Sequence, residues 1–98
     1  VTGIADVNEL PKTYKLLQNY PNPFNPSTII SYQLPKQGFV SINIYNILGQ
    51  KVAEMVNETQ NAGSYKINFD ASNLTSGIYI YQIRAGRFVQ SRKMILLK

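Results

Sequence analysis

Asn19-Tyr20-Pro21-Asn22-Pro23-Phe24-Asn25-Pro26-Ser27-Thr28 is the stretch on which the reading of the fold turns. Prolines at 21, 23 and 26 fix φ and push each preceding residue toward extended geometry. Neither a helix nor a central strand can pass through such a segment. Tyr20 and Phe24 lie inside it as large apolar side chains, and β-branched Thr28, Ile29 and Ile30 follow at once. The stretch therefore predicts a stiff, docked turn that closes one end of a β-sandwich and feeds the chain into a strand. Phe24 is expected to cap the core, with Tyr20 buried beside it.

Downstream, apolar residues recur at every second position, the period of a half-buried strand. Before the proline turn lies a short extended stretch, Tyr14-Lys15-Leu16-Leu17-Gln18-Asn19. After it, Ile30, Tyr32 and Leu34 share one face, then Val40, Ile42 and Ile44, then Tyr65, Ile67 and Phe69, then Tyr79, Tyr81 and Ile83. Pro35-Lys36-Gln37-Gly38 reads as a hairpin turn, Asn46-Ile47-Leu48-Gly49-Gln50 as a second turn and Ala85-Gly86-Arg87 as a third. Residues 51–56 read as an edge strand whose Val52–Val56 face is interrupted by Glu54, and residues 57–63 as a polar loop. Seven short strands with turn signals between them predict an all-β fold, a seven-stranded antiparallel immunoglobulin-like β-sandwich. Leu74 precedes Tyr79 across the turn glycine Gly77, an arrangement that resembles a tyrosine corner. Residues 1–13 read as a linker and residues 14–98 as the domain.

The 98 residues include no cysteine and no histidine. Disulfide staples and Cys/His zinc sites are excluded, and so are Ser-His-Asp and Cys-His catalytic arrangements. The five acids are scattered and no Gly-rich phosphate cradle occurs. No enzyme activity, cofactor, metal or small-molecule substrate is expected. The sequence begins at Val1 without an initiator methionine or signal peptide, which predicts a piece of a longer protein ending natively at Lys98.

Net charge is +5, and it is unevenly placed. Residues 1–70 balance five lysines against all five acids, whereas residues 71–98 hold Arg84, Arg87, Arg92, Lys93 and Lys98 with no acid. The basic residues are interleaved with strand residues rather than clustered, so no nucleic-acid partner is expected.

Four blocks, in order, resemble a known family: residues 17–30, Ile44-Tyr45-Asn46-Ile47-Leu48-Gly49-Gln50-Lys51-Val52, residues 74–81, and Ser91-Arg92-Lys93-Met94-Ile95-Leu96-Leu97-Lys98. They are similar to type A C-terminal sorting domains of the type IX (Por) secretion system. The Ig-like domain of flagellar hook-capping proteins shows a related Tyr-Pro-Asn-Pro-Phe-Asn-Pro pattern. The resemblance implies a non-catalytic signal joined to an N-terminal cargo. It also implies recognition by an outer-membrane translocon, with a periplasmic stage before the cell surface or the medium, and removal by a sortase-like peptidase. On that reading, recognition falls on Lys93 and Lys98, with Arg92 and the run Met94, Ile95, Leu96 and Leu97. Tyr20, Pro21, Asn22, Pro23, Phe24, Asn25, Pro26, Gly77 and Tyr79 are structural. The terminal strand would offer its backbone edge for β-augmentation, and an unpaired edge strand a route to a weak dimer. Deleting residues 91–98 should strand the cargo in the periplasm. A second reading is a carbohydrate-binding or structural Ig-like accessory module of a secreted hydrolase, with Tyr45, Tyr65, Tyr79 and Tyr81 as a sugar platform.

Overall fold

The computed structural model describes residues 10–98, so most of the expected linker lies outside the described residues. The described residues form seven strands: β1 (Lys15–Leu16), β2 (Ser27–Leu34), β3 (Gly38–Tyr45), β4 (Lys51–Gln60), β5 (Gly63–Asp70), β6 (Gly77–Ala85) and β7 (Phe88–Leu96). They build two antiparallel sheets, ordered β1-β2-β5 and β4-β3-β6-β7. This is the immunoglobulin-like division, with β4 added beside β3 in the sheet that holds β6 and β7.

The period-2 pattern sets which face turns inward. Thr28, Ile30, Tyr32 and Leu34 of β2 are buried, as are Val40, Ile42 and Ile44 of β3. Tyr79, Tyr81, Ile83 and Ala85 of β6 join Met94 and Leu96 of β7 on the inner face of the larger sheet. One continuous core results. Each large apolar side chain in it contributes roughly 1.5–3 kcal/mol of burial. The expected tyrosine corner is present: the Tyr79 hydroxyl donates to the Thr75 carbonyl at 2.7 Å, with Gly77 opening β6 between them. Immunoglobulin domains place a core cysteine two residues after this tyrosine; here Tyr81, fully buried, stands in that place.

Four expectations need correction. The Pro35–Gly38 turn is not a hairpin, because β2 and β3 lie in different sheets and the chain crosses between the layers there. Hairpins and inter-sheet corners use the same turn residues, so local sequence does not separate them. The polar loop expected over residues 57–63 is shorter, since β4 runs on to Gln60 and pairs Asn57, Glu58 and Thr59 with Ser41, Val40 and Phe39. That extension carries polar residues, and Asn57, Glu58 and Thr59 are exposed.

The expected apolar face of β4 is also different. Register shifts beside Asn43 and beside Tyr45 set Glu54 opposite outward Asn43, and Ala53 and Val56 opposite inward Ile44 and Ile42. Bulges of this kind re-aim side chains along an edge strand, so Glu54 interrupts nothing. Lastly, Tyr20 is not buried; it is 79% exposed. Phe24, which has no hydroxyl to satisfy, is the turn's buried ring at 2% exposure.

Candidate functional site: the terminal strand and its proline clasp

Between β1 and β2 the chain leaves one sheet and reaches the other. Tyr20 still bridges Ile29 of β2, but Phe24 bridges Leu96 of β7 in parallel. The Phe24 N–H donates to the Ile95 carbonyl and the Leu97 N–H donates to the Phe24 carbonyl, both at 2.9 Å. The Asn22 side-chain oxygen accepts the Ile95 N–H at 2.9 Å. Gln18 donates its side-chain amide to the Lys93 carbonyl at 2.8 Å. Proline has no N–H to offer a ladder, so pairing falls to the residues between the prolines. Bonds at Phe24 and from the Asn22 side chain clasp the outer edge of β7 where a regular strand could not continue.

A buried polar network holds the clasp in place. The Tyr81 hydroxyl accepts the Asn19 N–H at 2.8 Å and donates to the Leu17 carbonyl at 2.6 Å. Both backbone groups lie just past β1 and take no partner from the sheet, and a buried group left unpaired would cost about 1–3 kcal/mol. Asn19, 2% exposed, donates to the Thr28 hydroxyl at 2.9 Å and to the Pro21 carbonyl at 3.1 Å. Thr28 donates to the same Pro21 carbonyl at 2.8 Å. Burial raises the Tyr81 pKa above its ordinary value, opposed by the Asn19 N–H and the nearby Arg92 charge.

The geometry sorts the seven residues expected to carry recognition. Met94 and Leu96 are fully buried. Arg92 is half-buried, and its Nε donates to the Leu16 carbonyl at 2.7 Å, pinning β7 to β1 across the side of the sandwich. Lys93 and Leu97 are exposed and Ile95 is half-exposed. Lys98 is exposed but tethered: its N–H donates to the Ser76 hydroxyl at 2.9 Å and its ammonium to the Ser72 carbonyl. Asp70 lies close by, its carboxylate accepting the Ser72 N–H and hydroxyl, and these bonds lower its pKa.

Two readings lose their geometric footing. The β7 edge along residues 93–97 is occupied by the clasp, so it is not open for β-augmentation in this fold. The four tyrosines form no platform either. Tyr79 and Tyr81 are core residues, Tyr65 stacks on Tyr32 at 5.1 Å, and Tyr45 stands on the opposite face of the larger sheet. Sequence reasoning counted Asn22 among the structural residues of the turn, but it assigned no bonding role to Asn19, Asn22 or Thr28. Their only local signal is two asparagines placed before or between prolines and a threonine on the apolar face of β2.

The profile of the secretion system C-terminal sorting domain family matches residues 18–97. The chain belongs to this family. The match runs from Gln18, whose side-chain amide bonds to the Lys93 carbonyl of β7, to Leu97, whose N–H bonds to the Phe24 carbonyl of the clasp. No curated protein matches the chain. As a type IX sorting domain it is a signal attached to a cargo protein and handled by the secretion system, directing export toward the cell surface or the medium. Such domains are in general non-catalytic. Among the described residues, no three His, Cys, Asp or Glu side chains come together to hold a metal ion.

Proposed function

We propose that the solvent face of β7 is the address read by the outer-membrane translocon, with Lys93 and Lys98 as its charged contacts and Ile95 and Leu97 as its apolar ones. The observation that carries this reading is the division of one strand into two roles. Met94 and Leu96 fix the strand in the core, and the alternate residues are delivered outward on a rigid backbone. Arg92 acts through position, as the pin between β7 and β1.

The sorting unit is residues 14–98, joined to its cargo through residues 1–13. The cargo crosses the periplasm and a sortase-like peptidase removes the domain after translocation. The long edges left for pairing with a second copy are β4 and β5; the bulges and the charges of Lys51, Glu54 and Glu58 on β4, and of Lys66 and Asp70 on β5, oppose association and keep any dimer weak.

Deleting residues 91–98 would remove Met94 and Leu96 along with the address, so loss of secretion would not separate signal from fold. Sufficiency is the cleaner test. Residues 14–98 are fused behind a reporter that carries its own signal peptide, in a bacterium with a type IX system. The reporter should become accessible to external protease. Retention of an intact, folded fusion in the periplasm would refute the reading.

A further inference from the structure

Ile47 and Leu48 sit at the tip of the β3–β4 turn, 73% and 78% exposed. The turn is stiff. The Asn46 side-chain oxygen accepts the N–H groups of Leu48 at 2.9 Å and Gln50 at 3.0 Å. The Gly49 N–H donates to the Asn46 carbonyl at 3.0 Å, and Gly49 takes φ 83°, where a side chain would be strained. Two large aliphatic side chains are thus held in water by a turn built to keep them there. Single exposed apolar residues need no explanation, but a contiguous group marks an interaction site.

The group is contiguous. Ile47, Leu48 and Ile78 line one concavity of about 320 Å³, with Asn46, Thr75 and Ser76 in its walls. Ile78 stands opposite Ile95 and Ile80 opposite Lys93 across β6 and β7. Ser76, which accepts the Lys98 N–H, joins the concavity to the end of the chain. The apolar floor therefore runs into the solvent face of β7. Lys93 adds an uncompensated positive charge to its rim: among the described residues the one ion pair is Lys51–Glu54 at 3.4 Å, which leaves Lys93 without a carboxylate, whereas Lys98 lies near Asp70.

We propose that the Ile47–Leu48 turn is a second part of the address. With Ile78, Ile95, Lys93 and Lys98 it forms one docking surface for a protein of the outer-membrane secretion apparatus whose contact patch is apolar at its centre and acidic at its rim. This rests on the sorting reading above. A protein is favoured over a lipid surface because the concavity is walled by Asn46, Thr75 and Ser76, whose hydrogen-bonding groups acyl chains cannot answer.

The test is the Ile47→Asp/Leu48→Asp variant of the full cargo-bearing protein. Both side chains are exposed, so the melting temperature should stay within about 4 °C. Surface delivery should fall at least about tenfold, as for loss of a central contact. Ile47→Met/Leu48→Met and Lys66→Asp, at an exposed position of β5 on the other sheet, should secrete like the parent. Normal delivery of the Asp variant, with Lys93→Glu/Lys98→Glu blocked, would overturn this inference and leave the sorting reading standing. Normal delivery of both would overturn the placement of the address on the outer face of β7 as well. Binding of the purified domain to phosphatidylglycerol–phosphatidylcholine vesicles, abolished by the Asp variant, would assign the surface to the membrane and overturn a protein partner.

Discussion

Phe24 and Leu96 are neighbours in a parallel bridge, although 72 positions separate them in the sequence. The proline-rich segment and the terminal strand are thereby one structural unit at one end of the sandwich. The lead-in to the domain holds the strand that carries the proposed address.

Phe24→Ala should therefore loosen both. Phe24 is buried and packs against Phe69 at 6.2 Å, so its truncation should cost about 3–5 kcal/mol. Chemical unfolding of the isolated domain measures this. A loss below about 1 kcal/mol would mean that the clasp is peripheral.

Tyr81→Phe removes one hydroxyl and strands both the Asn19 N–H and the Leu17 carbonyl, a loss of about 1–3 kcal/mol. It should also change the alkaline limb of stability. The folded-state pKa of Tyr81 is raised above 10.0, so its contribution is complete below that value and disappears as pH rises through the folded pKa. Tyr32, also raised by burial, follows the same sign. Stability profiles of parent and Tyr81→Phe above pH 10 should converge; parallel profiles would remove Tyr81 from the alkaline transition.

Asp70→Asn probes the opposite limit. The Asp70 pKa is lowered, chiefly by its bonds from Ser72, so its contribution is present above the ordinary value of 3.8 and is lost as pH falls through the folded pKa. The variant should show a shallower acid decline. An unchanged acid limb would mean that the Asp70–Ser72 contact does not persist in solution.

Arg92 and Lys93 are adjacent but should respond differently. Arg92→Ala breaks the bond to the Leu16 carbonyl and should destabilise by about 1–2 kcal/mol. Lys93→Ala should stay within about 0.5 kcal/mol. Thermal unfolding of the pair decides whether their roles divide as the geometry indicates.

The strand pattern was legible in the sequence because alternation over Ile30-Tyr32-Leu34 or Val40-Ile42-Ile44 has one physical solution when a single face is buried. The tyrosine corner was legible for a similar reason, since Leu74, Gly77 and Tyr79 stand at fixed local spacing. What escaped was non-local. Nothing near Asn19 announces a partner 62 residues away in Tyr81. Nothing in Pro35–Gly38 separates a hairpin from a crossing between layers. Glu54 was misplaced because a bulge changes side-chain parity without leaving a residue-level mark. The terminal run was singled out as a block, yet only the packed structure divides Met94 and Leu96, which hold the strand, from Lys93 and Lys98, which face solvent.

The most direct measurement is the location of a cargo fused to the domain carrying Lys93→Glu and Lys98→Glu, read by external protease alongside the domain's melting temperature. The expected result is a folded domain, melting close to the parent, with its cargo held in the periplasm. A cargo delivered to the surface at the parental level would contradict the placement of the address on the outer face of β7.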